Sequence, residues 1–526
     1  MKKIQGQKKL TASGLRLTWS RNGTAIYAQL IEQVIAAIHD GRLQPGERLP
    51  SSRQLADTLG VSRTTTARAL DQLLAEGYVT SEPRRGLFIA HSATDLARPS
   101  SRRSISPSRV ITEPARPSRF TETASGMPHS PGETRYRLSA LPDYRLFPAR
   151  AWAASLRRSW LSPSREVLHG SAPGGLFVLR EAIAEYLHQV RGVTVAAQQI
   201  VVTGGNRDSL SLVCHALKIT AADAGWWLEA PCYPPIREAI DHYGKHARWL
   251  ALDDEGLTLP PGPGPDIVVC TPCQHFPLGT GMSRQRRQAW LQRLSEGNTW
   301  MVEDDYDNEF RYEGAATVPL FQADHSEHTL LLGSFSKVMF KGLRLGYIVA
   351  PPSMCATLEA SQSALGNTAS LAMQPALADF MHQGNFGRHL NRMRRHYRQR
   401  RDALLVLLEE YLSTWCEWDL PAGGMHVLVR LRPPLNEALP ESRVPSDKTQ
   451  ATTRSWDQWI AETLRHEGIA IDPLSRYYPA DRGSPANRGQ DILVRTGFIL
   501  GFTDWNEADA HHLLGRLRNA LEHLVT

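Results

Sequence analysis

The first ninety residues alternate between short apolar stripes and turn signals. Apolar residues recur at helical spacing over residues 27–38, and Gly41 marks the end of that helix. Ser51 and Ser62 are N-cap candidates for two further helices, which a tight turn at Gly60 separates. Two short runs at 78–80 and 87–90 then predict a β-hairpin with a basic tip. This order predicts a small α+β unit of the winged helix-turn-helix type.

Basic and hydroxyl side chains concentrate at the start of the third predicted helix and at the hairpin tip. In a helix-turn-helix protein the start of that helix enters the major groove, where arginine donates to guanine edges or phosphates. The predicted DNA-contacting residues are Arg53, Ser62, Arg63, Thr64, Thr65, Arg68, Arg84 and Arg85. A solvated face is the alternative for any one of these arginines taken alone, and their joint placement favours DNA contact.

Charge is distributed unevenly along the chain. Residues 1–90 carry 13 Lys+Arg against 7 Asp+Glu, whereas the whole chain of 526 residues has a net charge of +7. Most of the excess positive charge therefore belongs to the N-terminal unit, which indicates a polyanion-binding module attached to a nearly neutral body.

The stretch from Gly46 to Arg63 resembles a known DNA-binding family. Its sequence GERLPSSRQLADTLGVSR is similar to that of GntR-type winged helix-turn-helix domains. The resemblance covers about 70 residues and implies a DNA-binding domain over residues 1–90 with double-stranded operator DNA as partner.

Residues 91–134 have the composition of a linker. They contain nine Ser, six Pro and six Arg, with Phe120 as the single aromatic residue. Such a stretch buries too little apolar surface to offset the entropy of ordering it. We therefore predict a flexible linker here, followed by a second domain over residues 135–526.

Beyond the linker, short apolar runs alternate with helical stretches. The predicted strands are 200–203, 226–229, 267–271, 300–303, 330–333 and 345–349. This alternation predicts an α/β domain with a mostly parallel central sheet, and it places ligands at the carboxyl ends of the strands.

Polar residues cluster at those strand ends. Gly205 and Asn206 follow the first run, an acidic run from Glu303 to Asp307 follows the fourth, and Ser334, Ser336, Lys337 and Arg344 follow the fifth. Taken singly, these clusters are also compatible with a tight turn, a metal site and surface decoration. No histidine accompanies the acidic run at ligand spacing, so we predict no metal.

Together the clusters match the needs of a phosphorylated aromatic aldehyde bound as a Schiff base. Lys337 would supply the amine, Asp304 would pair with a protonated pyridine nitrogen, and Tyr306 would donate to the phenolate oxygen. Tyr233 can stack on the ring. The predicted phosphate contacts are Gly205, Asn206, Ser334, Ser336 and Arg344.

This constellation resembles fold-type I enzymes that use pyridoxal 5′-phosphate (PLP), from about residue 135 to the C-terminus. The resemblance implies that Lys337 is the Schiff-base lysine and that Arg495 clamps a substrate carboxylate. It also implies a small C-terminal α+β domain. A GntR-like head, a linker and an aminotransferase-like body, with the run EDDYDNEF at 303–310, are the layout of MocR-type regulators.

Three functions remain open from the sequence. The first is a regulator in which an amino-compound effector exchanges with Lys337, docks its carboxylate on Arg495 and alters operator binding. The resemblance further implies a head-to-tail homodimer. The second is a working aminotransferase with an accessory DNA-binding domain, and the third is a scaffold that binds DNA without cofactor. The effector, the operator and the sign of regulation are not encoded in any motif, nor is a role for the polar stretch 440–453.

No targeting or membrane signal accompanies these motifs. No run approaches the ~18 uninterrupted apolar residues of a membrane span, and no apolar core follows the N-terminal lysines. Six cysteines are too few for a disulfide framework in a chain of this length. We therefore predict a cytoplasmic protein, in which the lone pair Cys270 and Cys273 packs at a strand end and does not bind zinc.

Overall fold

The computed structural model divides the chain into two compact units, Met1–Arg119 and Phe120–Thr526. It describes residues 6–9, 16–20, 25–75, 77–82, 85–91, 136–217, 225–242, 247–262, 266–296, 299–314, 317–366, 369–433, 435, 455–479 and 492–525. The predicted linker from residue 92 onward, the stretch 440–453 and Arg84 lie outside the described residues.

The first unit has the predicted helix-turn-helix and hairpin, with additional strands. Its elements are β1 (Gly6–Lys9), β2 (Arg16–Trp19), α1 (Ile26–His39), β3 (Arg48–Leu49), α2 (Ser52–Leu59), α3 (Arg63–Ala75), β4 (Val79–Glu82) and β5 (Gly86–Ile89). The sequence pattern gave no sign of the β1–β2 hairpin or of β3, which pairs with β5.

Local signals set the ends of α2 and α3. Ser51 and Gln54 form a reciprocal capping box at the start of α2, and Gly60 ends this helix in the left-handed conformation. Ser62 caps α3, because its Oγ accepts the Thr65 backbone N–H at 3.1 Å. Both predicted N-caps are therefore confirmed.

The second unit is an α/β domain followed by a smaller α+β domain. The first part contains β6 (Tyr136–Arg137), α4 (Ala149–Leu161), α5 (Arg165–His169), α6 (Phe177–Tyr186), β7 (Ile200–Thr203), α7 (Asn206–Ala216), β8 (Trp226–Ala230), α8 (Pro234–His242), β9 (Ala247–Asp253), β10 (Gly256–Leu257), β11 (Ile267–Cys270), α9 (Arg284–Glu296), β12 (Trp300–Asp304), α10 (Leu320–Ala323), β13 (Thr329–Ser334), β14 (Gly346–Val349), α11 (Pro352–Leu365), α12 (Gln374–His382) and α13 (Asn385–Leu412). The smaller domain contains β15 (Cys416–Trp418), β16 (His426–Leu431), α14 (Trp456–Arg465), β17 (Ile469–Ala470), β18 (Asp472–Pro473), β19 (Gly497–Gly501) and α15 (Glu507–Val525).

Within the described part, the main sheet has eight strands in the order β10-β9-β8-β11-β12-β13-β14-β7. The central strands β9, β8, β11, β12 and β13 run parallel. Strand β14 runs antiparallel to both β13 and β7, so β7 has the direction of the central strands. All six predicted strands are present, and β9 and β10 were not predicted. Strands β7, β8, β11 and β14 are buried along their whole length, which explains why they read as continuous apolar runs.

The smaller domain confirms the predicted C-terminal α+β domain. Its sheet has four antiparallel strands among the described residues, in the order β15-β16-β19-β18. Helices α14 and α15 pack on this sheet through side chains that include Ile460, Leu464, Leu513 and Leu517. Strand β6 pairs with β17, so the first described residues of the second unit are attached to the smaller domain.

Candidate functional site

Strand register brings three of the predicted clusters to one edge of the main sheet. Ser334 at the end of β13 lies opposite Gly346 of β14, which in turn lies opposite Thr203 at the end of β7. Strand β12 runs parallel to β13, and its last residue, Asp304, lies opposite Leu332 of β13. The loops that carry Gly205, Lys337 and Asp304 therefore begin side by side.

Lys337 lies three residues after β13 with its amine inside the site. Its Nζ donates a 3.0 Å hydrogen bond to the backbone oxygen of Ala140. Burial lowers the pKa of Lys337 below the usual lysine value, while the carboxylate of Asp307 acts in the opposite direction. A lowered pKa makes the unprotonated, nucleophilic amine more accessible near neutral pH.

Asp304 is buried at the end of β12. Its Oδ1 accepts a 2.7 Å hydrogen bond from Nδ2 of Asn206, the first residue of α7. Burial and the neighbouring Asp305 raise the pKa of Asp304 to about 7. A cation placed against this carboxyl group would restore its charged form, and a protonated pyridine nitrogen is such a cation.

The hydroxyl group of Tyr306 is buried and has no hydrogen-bond partner among the described residues. Burial raises its pKa well above the usual tyrosine value, so it is a neutral donor. The rings of Phe276 and Tyr306 lie edge to face, with centroids 5.5 Å apart. A buried donor without an acceptor is costly, and a phenolate oxygen placed here would satisfy it.

The proposed phosphate cradle is open at Gly205. This residue has a φ of +106°, and a Cβ atom built on it would contact nothing within 4 Å. Arg344 has a left-handed backbone and an exposed side chain, and Ser336 donates its backbone N–H to Ser334 Oγ at 3.3 Å. The amide of Gly204 is already bonded to Asp208 at 2.7 Å, so the amides after it are the ones that remain for a ligand.

Carboxylates in and after the acidic run form structural hydrogen bonds and a buried ion pair. Glu303 accepts the Leu320 and Phe321 amides at the start of α10, and Asp305 forms a buried bidentate pair with Arg191 at 2.7 Å. Glu309 accepts the hydroxyl of Tyr186. These bonds occupy the carboxylates of Glu303, Asp305 and Glu309, and no His, Cys, Asp or Glu cluster suited to a metal occurs among the described residues.

Aromatic and imidazole side chains line the remaining wall of the site. Tyr233 is 44% exposed, and its ring meets the edge of Phe276 with centroids 5.4 Å apart. His426 of β16 bonds to the backbone oxygen of Pro277 at 2.9 Å, and burial lowers the pKa of His426 to about 4. His426 was not predicted, because only the fold brings β16 against the loop at Phe276.

Arg495 lies just before β19 in the smaller domain. Its side chain is exposed. The following peptide is fixed on both sides, since Leu431 N–H bonds to the Thr496 oxygen at 3.1 Å and Gly497 N–H bonds to Asp457 at 3.2 Å. The buried Asp457 also accepts the backbone and side chain of Ser475, and it was missed from the sequence.

The first unit exposes predicted DNA-contacting residues near the starts of both α2 and α3. Arg53, Arg63 and Thr64 are exposed, and the Ser62 hydroxyl also bonds to the hydroxyls of Thr64 and Thr65. Two predicted contacts have partners inside the unit. The guanidinium of Arg68 lies 4.0 Å from the centroid of the Tyr27 ring, and Arg85 pairs with Glu82 at 2.5 Å.

The two units match two family models. Residues 26–89 match the model described as bacterial regulatory proteins of the gntR family, and residues 142–483 match aminotransferase class I and II. No helix in the described ranges has both the length and the apolar character needed to cross a membrane.

Curated relatives align with this chain over nearly their full length. The probable rhizopine catabolism regulatory protein MocR of Rhizobium meliloti is 33% identical, with 94% of this chain and 93% of that protein covered. The pyridoxine biosynthesis transcriptional regulator PdxR of Corynebacterium glutamicum is 30% identical over 95% of this chain and 96% of its own length. Pyrococcus horikoshii kynurenine aminotransferase shares the fold of the second unit, with a TM-score of 0.62 and 24% identity over 75% of this chain and 92% of the solved chain.

Fold and site thus define a winged helix-turn-helix protein fused to a PLP-binding aminotransferase-like domain. The chain belongs to the MocR-type family of GntR transcriptional regulators. Its cofactor is PLP, which would be held by Lys337, Asp304 and Tyr306. PLP supplies a carbonyl carbon that condenses reversibly with amines, and the orphaned Tyr306 hydroxyl and the open Gly205 loop fit its phenolate and phosphate.

Proposed function

We propose that this protein is a PLP-dependent regulator that senses an amino compound by Schiff-base exchange at Lys337 and changes its binding to operator DNA in response. In the exchange, the C=N bond to Lys337 is replaced by a C=N bond to the effector nitrogen. The two hydrogens of the effector amine end on Lys337 Nζ, and no oxidant or water is consumed. We propose a cytoplasmic location, because a protein that binds operator DNA acts where that DNA is.

The observation that carries the proposal is that the Lys337 amine, a buried hydroxyl without a partner and a buried carboxyl group of raised pKa belong to neighbouring strand ends. The hydroxyl is that of Tyr306, which has no hydrogen-bond partner among the described residues, and the carboxyl group is that of Asp304. A site that were only structural would pair the Tyr306 hydroxyl internally. Arg495 adds an exposed guanidinium beside a fixed peptide, which suits a bidentate carboxylate of the effector.

Operator recognition is proposed for the start of α3 and the wing between β4 and β5. The exposed Arg63 and Thr64 would contact the major groove, and Arg53 would contact the backbone. We propose Ser62, Thr65, Arg68, Arg84 and Arg85 as further contacts. For Arg68 and Arg85 the proposal requires the guanidinium to bind phosphate while it keeps its internal contact.

Dimerisation is proposed from exposed apolar side chains on the second unit. Leu161 at the end of α4 is 72% exposed, Leu168 of α5 is 63% exposed, and Phe177 at the start of α6 is 46% exposed. Apolar side chains of this kind are typical of protein–protein interfaces. We propose that a second copy covers them in a head-to-tail homodimer, so that two DNA-binding units read paired half-sites. Sedimentation as a monomer at micromolar concentration would contradict this.

One experiment tests the exchange together with its consequence. The PLP-loaded protein is titrated with amino acids and simple amines while the cofactor absorbance is followed, and binding to DNA from upstream of its own gene is measured in parallel. We expect an amino compound to shift the absorbance and to change the dissociation constant for DNA. Lys337→Ala should abolish the absorbance response and leave DNA binding measurable.

The titration also separates the regulator from an aminotransferase. Lys337, Asp304 and Tyr306 are compatible with proton transfer during transamination. Steady turnover of an amino acid and a keto acid, with DNA binding that neither salt nor sequence affects, would favour the enzyme and contradict the proposal.

A further inference from the structure

The segment Tyr136–Leu141 contacts the Lys337 amine through Ala140, and we call it the strap. It is the first described stretch of the second unit, and the chain before it leads back to the DNA-binding unit. Its Ala140 oxygen accepts the Lys337 amine at 3.0 Å. The strap thus lies at one end of the chain segment that connects the two units. It is hydrogen-bonded to Lys337, the residue whose covalent partner changes in the proposed exchange.

The strap is attached to the smaller domain along most of its length. The buried Thr503 donates its hydroxyl to the Ser139 oxygen at 3.0 Å and to the Leu141 oxygen at 2.6 Å. Gly501 N–H bonds to the Leu138 oxygen at 3.2 Å, and Thr503 N–H bonds to the Ser139 oxygen at 3.2 Å. These partners continue directly from β19, the strand that follows Arg495.

Contact between the strap and Gly501 leaves no room for a side chain. A Cβ atom built on Gly501 would lie 2.0 Å from the carbonyl carbon of Ser139 and 2.1 Å from the nitrogen of Ala140. The φ of Gly501 does not lie in the left-handed region, so alanine is compatible with its backbone. The absence of a side chain therefore serves the approach of the strap.

We propose that the strap couples the state of Lys337 to the DNA-binding unit, with Gly501 and Thr503 as its positioning residues. The proposal rests on the proposed exchange. While Lys337 is linked to the cofactor, its nitrogen retains at most one hydrogen. After exchange it is a free amine with two or three hydrogens, one of which can bond to Ala140.

The same event reaches the strap from a second direction. Arg495 precedes β19, whereas Gly501 ends this strand and Thr503 follows it. An effector carboxylate bound at Arg495 is therefore separated from the Gly501 and Thr503 contacts by the length of one strand. Release of the Lys337 amine and occupation of Arg495 therefore both act on the strap. A ligand shifts a conformational equilibrium only through contacts that differ between its states, and the bond from Lys337 to Ala140 is such a contact.

Hydrogen–deuterium exchange of the full-length protein tests the coupling without knowledge of the effector. The protein is loaded with PLP, which links Lys337, or with pyridoxamine 5′-phosphate, which leaves the Lys337 amine free. We expect amides in peptides covering 136–141 and 501–504 to exchange about tenfold more slowly in the pyridoxamine form, as one additional hydrogen bond to Ala140 predicts. Equal exchange in the two forms would overturn the proposal.

Gly501→Ala and the isosteric Thr503→Val should remove this difference while both forms of the cofactor still bind. Gly515→Ala on α15 is the matched control, because its Cβ would make only an ordinary 3.6 Å contact with Tyr411. The difference in DNA dissociation constant between the two cofactor forms should shrink by about fivefold or more in the two strap variants.

Retention of that DNA difference by both strap variants would overturn the coupling while the proposed function stands. Loss of Schiff-base formation itself in the strap variants would also overturn it, because the strap would then serve the chemistry and not its transmission. By contrast, a wild-type protein that never links PLP to Lys337 would contradict the proposed function first.

Discussion

Asp304 is the residue whose ionisation reports most directly on the cofactor. Burial raises its pKa to about 7 in the folded protein, against 3.8 for an exposed aspartate. The folded state then binds more protons than the unfolded state between these pH values, so stability falls as the pH rises through this window. Bound PLP would offset that loss by pairing with the charged form.

The prediction is a difference between cofactor-free and PLP-loaded protein. Without cofactor, ionisation of Asp304 should lower the free energy of unfolding by roughly 3 kcal/mol as the pH rises from 4 to 7. Bound PLP should abolish most of this dependence on pH. Denaturant unfolding at several pH values measures it. Asp304→Asn is the control and should flatten the slope without PLP. Identical slopes in the cofactor-free wild type and in this variant would contradict the assignment.

Removal of one oxygen atom, the hydroxyl of Tyr306, tests whether this residue binds the cofactor. Because its buried hydroxyl has no partner among the described residues, Tyr306→Phe should leave the fold intact and weaken PLP binding by about tenfold or more, the value of a lost hydrogen bond to a charged acceptor. Fluorescence titration measures the affinity. Tyr411→Phe removes a hydroxyl that bonds to His511 at 3.0 Å and should have no effect on PLP. Equal affinities in wild type and Tyr306→Phe would remove Tyr306 from the site.

At the scale of single elements, α3 carries the DNA prediction. Arg63→Ala should weaken operator binding and reduce the slope of log Kd against log salt by about one, because one phosphate or base contact is lost. Fluorescence anisotropy across a salt series measures both values. Arg42→Ala is the control, since Arg42 is exposed in the same unit and pairs with Asp40. A parallel effect of the two substitutions would mean that only net charge matters.

Helix α14 carries the second prediction at this scale. Its buried Asp457 holds the Ser475 segment and Gly497 beside Arg495. Asp457→Asn should therefore weaken the binding of amino acids about tenfold and leave the binding of amines without a carboxylate unchanged. Absorbance titration separates the two ligand classes. The exposed Asp419 gives the control Asp419→Asn, and an equal loss for both ligand classes would indicate general destabilisation.

The same elements show what the sequence could predict. Buried parallel strands such as β11 and helix starts such as Ser51 have local signals, namely a continuous apolar run and a capping residue. Strand β9 has an interrupted apolar pattern, because residues 247, 248, 251 and 252 are only half-buried. It was therefore missed, and β3 is too short to leave a pattern.

For the whole molecule, the sequence predicted residue types with distinctive chemistry. It missed residues whose role depends on contacts with segments far away in the chain. Lys337, Asp304 and Tyr306 occur in compact motifs at strand ends, and the fold brings them to one edge. Ala140 and Asp457 contribute through contacts between segments far apart in the chain, and neither has a local signal. Only the three-dimensional structure joins them to the site.

We propose above all that Lys337 forms the covalent link to PLP and gives it up to an amino compound. Borohydride reduction of the PLP-loaded protein, followed by peptide mass spectrometry, tests this directly. We predict a phosphopyridoxyl label on the peptide containing Lys337, and its transfer to the small molecule when a responsive amine is present. A label on another lysine such as Lys341, or no label at all, would contradict the account.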